Sequence, residues 1–214
     1  MTLPRPSVTL VLKKRKVGNE PMRRSRVLRL CLPILMAAAA LSCVRSLQPL
    51  YEDEDLVFEP RLLGTWTDSD GEDDWTFTRG AGNEYVLTCL TGEDEVKAKF
   101  RGRLGKLGGA YFLDLFPEKS GAPMPKNDLL TMHLIPAHTF WRVRLIAEGG
   151  LHLDPFNADW LKEGIREGRL KIAHVETPDE VILTASTSEL QAFLARLASD
   201  NEAFTPSDEA LRRR

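Results

Sequence analysis

The chain has 214 residues, 43% hydrophobic, 28% charged and 7% aromatic; that balance excludes collagen-like, low-complexity and wholly disordered chains and fits one domain or a small pair. The net charge of -2 hides a division, because residues 1–42 hold nine Lys or Arg against a single acid, Glu20, while the rest of the chain holds 20 basic and 30 acidic side chains. So acidic a body repels phosphate, which excludes nucleic acid as a partner.

In chain order, Arg23, Arg24, Arg26 and Arg29 precede a twelve-residue apolar run, Leu30 to Leu41, interrupted by Pro33. This is the order of a secretory signal peptide. The run is too short for a permanent span, which needs about 20 apolar residues. Met22 heads a signal of conventional length, so translation starts either there or at Met1, with a second basic cluster at Lys13-Lys14-Arg15-Lys16 upstream. Small and apolar residues then lead to Ala40-Leu41-Ser42-Cys43, which resembles the bacterial lipoprotein box. The resemblance implies a thioether-linked diacylglycerol on Cys43, cleavage before it, and acylation of the new amine. Two or three acyl chains, at roughly 0.8 kcal/mol per buried CH₂, make a durable anchor where one would not. The alternative is plain secretion with an incidental Cys43. Val44 follows the cysteine in place of Asp, which the resemblance associates with the outer membrane or cell surface rather than the inner membrane.

Four segments are expected: an N-terminal extension and signal peptide (1–42), the lipidated cysteine with an acidic tether (43–60), a β-rich domain with a C-terminal helix (61–200), and a flexible tail (201–214). The acids Glu52-Asp53-Glu54-Asp55 favour an extended, self-repelling tether; a strand strapped over the body around Leu56-Val57-Phe58 is the competing reading. Cys31 belongs to the signal and Cys43 to the lipid site, so Cys89 is left alone in the body. No internal disulfide can form, and the core must hold the fold. Cys89 has no base or cation beside it in sequence and reads as a buried structural thiol.

From Leu62 the pattern is mainly β, an antiparallel meander. Trp66 opens a strand, Asp70-Gly71 turns it, and Trp75-Thr76-Phe77-Thr78 alternates. Tyr85–Leu90 follows, and a turn at Thr91–Asp94 leads into Val96–Arg101, with Val96, Ala98 and Phe100 on one face and three cations on the other. Tyr111–Leu115 comes after Gly108-Gly109, and a Gly/Pro-rich loop spans Pro117–Asp128. Met132 and Leu134 resume the meander, then Trp141–Leu145 and Leu151–Asp154. About seven short, evenly spaced strands predict a curled sheet or a lipocalin-like barrel. Asn157 caps a short helix ending at Gly168, and Val181–Leu183 is one more strand. Ser186-Thr187-Ser188-Glu189 is a capping box for a C-terminal helix that presents Leu190, Phe193, Leu194 and Leu197 and covers an open end or edge.

Gly64-Thr65-Trp66 at the start of a meander resembles the lipocalin signature. That resemblance implies a Trp packed at a closed barrel end under an Arg from a late strand, a place for which Arg144 is the candidate. Leu62-Leu63-Gly64-Thr65-Trp66 with the capped helix is also similar to a group of uncharacterised envelope lipoproteins, which carries no activity with it.

Catalytic and metal patterns are missing from the sequence. His133, His138, His152 and His174 form no His-x-x-x-His, no Cys-x-x-Cys occurs, and Asp68-x-Asp70-Gly71-x-Asp73-Asp74 lacks the closing Glu of a calcium loop, so it reads as a solvated hairpin tip. Serine-nucleophile, phosphate-loop and dinucleotide signatures are missing too, and no cofactor or metal is expected. Trp66, Trp75, Tyr85, Phe100, Tyr111, Phe140 and Trp141 are expected on the concave face, as packed core or, if space remains, as the lining of an apolar pocket; packed core is the reading taken. Together these readings give a lipid-anchored, non-enzymatic envelope protein with structural or protein-interaction work. A lipocalin-like carrier of an apolar ligand is the alternative, and a hydrolase with unrecognised residues is third.

Overall fold

The computed structural model describes residues 43–71, 73–91, 96–118, 128–146, 149–178, 180–207 and 209–214. Residues 1–42, where a signal peptide is expected, the turn at 92–95 and most of the Pro-rich loop lie outside the described residues.

Eleven strands and three helices are described. The strands are β1 (Arg45–Ser46), β2 (Gly64–Thr67), β3 (Asp74–Arg79), β4 (Glu84–Thr91), β5 (Val96–Leu107), β6 (Ala110–Pro117), β7 (His138–Leu145), β8 (Gly150–Pro155), β9 (His174–Glu176), β10 (Val181–Leu183) and β11 (Leu211–Arg213). The helices are α1 (Asp128–Thr131), α2 (Ala158–Arg166) and α3 (Thr187–Leu197). Strands β2 to β8 form the expected meander, each antiparallel to the next. The eighth strand, β11, pairs with both β8 and β2 and closes an antiparallel barrel.

Closure separates an inside from an outside. In a strand successive side chains point to opposite faces, so the directly paired rows Trp66–Trp75–Cys89, Phe77–Leu87–Phe100 and Leu104–Leu113–Trp141 all face the lumen. Trp66, Phe77, Tyr85, Leu87, Leu104, Leu113 and Leu151 are sealed there in one apolar cluster.

The alternating residues Phe112, Asp114, Phe140, Arg142 and Asp154 point outward and are nevertheless buried. They lie beneath a second layer made of the segment from Val44 to Leu56, helices α2 and α3, and residues 198–204, whose apolar side chains form a cluster with Phe112, Phe140 and Phe156. Asn157 Oδ1 accepts from the Trp160 amide (3.1 Å), and Ser186 with Glu189 forms the reciprocal box, so both helices begin where the capping residues indicate. β1 prolongs β7 beyond the end of β8, and β10 and β9 extend from it as a three-stranded flap.

Five expectations change. Residues 43–60 are not a tether: Val44, Leu50 and Tyr51 are buried, and the Tyr51 ring lies so close on Gly105 that a β-carbon there would stand 2.3 Å from it. The chain is strapped to the body instead, as irregular backbone and not as a strand, with the Val57 amide bonded to the Leu104 carbonyl (2.9 Å). The tail does not hang free, because Leu211–Arg213 is the closing strand. Met132 and Leu134 do not resume the meander; the chain makes the single turn α1 and stays irregular until His138. Phe140 faces the outer layer, back to back with the inward Trp141. Helix α3 covers the outer wall beside β5 rather than an open end.

Candidate functional site

The barrel lumen is the first place to look for a ligand. Its closed end is built from Gly64-x-Trp66: the Trp66 indole N–H donates to the Leu62 carbonyl (2.9 Å) at the short 3-10 turn Pro60–Leu62. The Arg213 guanidinium lies 4.7 Å from the Trp66 ring centre and donates to the Arg61 carbonyl (2.6 Å). This cation-over-indole contact has the form expected of a late-strand Arg, but Arg213 makes it. Arg144 points outward to Asp154 instead. Gly64 stands beside the same guanidinium with φ +120°, and a β-carbon there would meet it at 3.0 Å. Phe58 stacks on Tyr85 (5.1 Å between ring centres), and the Tyr85 hydroxyl accepts from the Glu59 amide (2.6 Å), so the strap forms the floor.

Further along the lumen Trp75 of β3 and Trp141 of β7, strands on opposite sides of the eight-stranded ring, meet edge to face with centres 5.8 Å apart. The Trp141 indole donates to Thr139 Oγ1 (3.1 Å). An interior spanned by side chains is what an eight-stranded barrel permits without a calyx. Of the aromatics read from the sequence, Trp66 and Tyr85 are fully buried, and Trp75, Phe100, Tyr111 and Trp141 pack half-buried against the same cluster. Cys89 is part of it, and burial, reinforced by the Asp73 charge, pushes its thiol up to about 12, which keeps it an un-ionised, inert group.

The titratable groups gather on the outer wall. Asp154 is fully buried and accepts from Arg144 (2.8 and 3.0 Å), from Arg142 (3.3 and 3.4 Å) and from the Ser207 amide (3.2 Å). Burial raises such a carboxyl, but the Arg144 hydrogen bonds, the Ser207 amide and the two guanidinium charges outweigh it and hold Asp154 below the usual carboxylate range. Arg142 also donates to the Asp200 carbonyl (3.3 Å), so the group pins the segment 200–207 to the barrel. His152 Nδ1 stands 2.8 Å from Ser207 Oγ, yet Asp154 lies beside the serine rather than behind the histidine, and no relay through the imidazole results. His138 Nδ1 is 2.7 Å from Asp114 Oδ1, whose other oxygen accepts from the Leu50 amide (2.9 Å). Ser46 pairs with His138 in register but is sealed from solvent and donates to the Gln48 carbonyl (2.8 Å), so it presents no nucleophile. These polar groups latch the outer layer.

His174 bonds the Ile172 carbonyl and His133 is exposed, so the four histidines do not converge. Asp68 accepts from the Gly71 amide (2.8 Å) as a turn residue, and among the described residues no group of three or more His, Cys, Asp or Glu could hold a metal ion. An open groove of about 820 Å³ between the strap and the start of α3 is lined by Glu52, Glu54, Asp55, Ser186, Glu189 and Gln191, polar throughout. Cys43 sits partly buried in a bridge with Asn157, and burial raises its thiol. Among the described residues no helix is long and apolar enough to cross a membrane.

Arg213 and the outer-layer pairs were missed from sequence, since each joins residues 10 to 150 positions apart. The one local signal was the row of alternating charged residues within otherwise apolar strands. Compared with family models, curated proteins and solved structures, the chain matches none of them.

Proposed function

We propose that the protein is held at the bacterial cell envelope through lipid on Cys43, facing the outer membrane or cell surface, and that its barrel is a rigid body for structural or protein-interaction work rather than an enzyme. The observation that carries this reading is the Trp75–Trp141 contact across a lumen already filled by one apolar cluster. A filled barrel offers partners its outer surface. The sequence supports the anchor through the basic stretch, the apolar run and Ala40-Leu41-Ser42-Cys43.

Native mass spectrometry of the protein from its source membranes, beside a Cys43→Ala form, tests both halves. A diacylglycerol and acyl mass increment on Cys43 and no other adduct is the expected result. An unmodified Cys43 removes the anchor.

The alternative is a lipocalin-like binder, and the half-buried Trp75, Phe100 and Trp141 favour it, because parting the two indoles would open a shallow apolar site at one end of the lumen. A doxyl-labelled stearate would then quench tryptophan fluorescence saturably, with loss of saturation in Trp141→Arg. The structural reading expects linear, weak quenching in both forms.

A further inference from the structure

Six of the seven large apolar side chains exposed among the described residues belong to two stretches joined by strand pairing: Leu129, Met132, Leu134 and Ile135 lead into β7, and Leu47 just after β1 and Val175 on β9 belong to the flap that pairs with the start of β7. The seventh, Ile146, is at the opposite end of β7. Such clustering on a chain otherwise rich in surface charge marks an interaction face.

The route of the chain says what that face meets. From Cys43 burial alternates residue by residue, with Val44 and Ser46 sealed and Arg45 and Leu47 exposed. Strand alternation therefore puts the Cys43 side chain on the same side as Arg45 and Leu47. Arg45 pairs with Ile182, and Ile182 with Val175, so those residues share that side across the flap. Ser46 pairs with His138, three residues after Ile135. The apolar run of the signal ends at Leu41, two residues before Cys43. Cys43 is itself bridged to Asn157, so the residue proposed to carry the lipid is part of the folded body.

We propose that this face is a lipid-docking surface: the bilayer interface receives Met132, Leu134, Ile135, Leu47 and Val175 while the lipid on Cys43 inserts beside them. The inference rests on the anchor reading for its starting point. The occupant is a bilayer because, on that reading, the lipid is carried by Cys43, on the same side of the flap as Leu47 and Val175. Apolar side chains set into the headgroup boundary add to an acyl anchor, and they fix which way the barrel faces.

The test places a dansyl side chain at Met132, Ile135 or Val175, or at Ile146 as control, in the full protein, reconstituted in phosphatidylcholine vesicles with and without doxyl-labelled lipid. The mass of Cys43 is recorded in parallel. Docking is supported if the three positions shift to the blue and are quenched severalfold more than Ile146. Emission as in water at all four positions overturns docking even where Cys43 is lipid-modified. Quenching at the three positions with Cys43 unmodified sustains docking and removes the anchor. Shielding that appears without vesicles and grows with protein concentration assigns the face to a second copy and overturns the proposal.

Discussion

The two cores of this molecule solve the same problem differently. Inside the barrel every sealed side chain among the described residues is apolar, and the strands around it are hydrogen-bonded through a complete ring. In the outer layer the apolar contacts of Tyr51, Phe156, Phe193 and Phe204 alternate with buried charge, where Asp154, Arg142, Asp114 and Arg103 hold the strap and the 200–207 segment against the wall. The inner core depends on shape and closure. The outer one depends also on pairing, because a buried charge is tolerated only while its partners stay in place.

The largest effect should come from breaking the closure that defines the inside. Removing residues 211–214 takes away β11, the Arg213 lid over Trp66 and the strand that joins β8 to β2, and should abolish the cooperative transition in near-ultraviolet circular dichroism. Trp66→Ala leaves the ring intact but empties its closed end, with an expected loss of about 3–5 kcal/mol in urea unfolding. Asp154→Ala attacks the outer layer by leaving Arg142 buried without its carboxylate, and about 3 kcal/mol is expected, with hydrogen exchange rising first at 200–207. Gly105→Ala should cost about 1–3 kcal/mol by pushing against the Tyr51 ring. Its signature is faster exchange at 44–56 while the amides of β3 and β4 keep their protection; equal loss in both would merge the two cores into one.

The smallest effect is acid. Asp154 is held below the ordinary carboxyl range, so its stabilisation is complete above about pH 4 and is lost as pH falls through the lowered folded value. Urea midpoints measured downward from pH 5 should therefore fall more steeply in the parent than in Asp154→Asn, whose side chain does not titrate there.

The meander was legible because β2 to β8 alternate apolar and polar residues and turn at Gly and Asp. Asn157 and Ser186 with Glu189 marked the helix starts for the same local reason. What stayed hidden was decided at a distance. Val44, Leu50, Tyr51 and Leu56 follow no period, and the four acids between Tyr51 and Leu56 are indeed solvent-exposed, so their charge masks the burial of the residues on either side. Leu211-Arg212-Arg213 has one apolar residue and gains its strand from backbone pairing on both sides. Arg144 and Arg213 are equivalent in composition, and only the register across β2 and β11 distinguishes them. A packed interior was the reading taken from domain size, and the Trp75–Trp141 contact depends on which strands oppose each other around the ring.

The strand that shuts the barrel is the last of the eight in chain order, and its partner β2 is the first. A chain synthesised N-terminus first can pair β2 with β3 early, yet it has no closed barrel until Leu211 has emerged from the ribosome. Pairing ends so far apart is intrinsically slow. Order of synthesis thus acts as a timer, delaying the final lock until every other strand of the barrel is available to be closed.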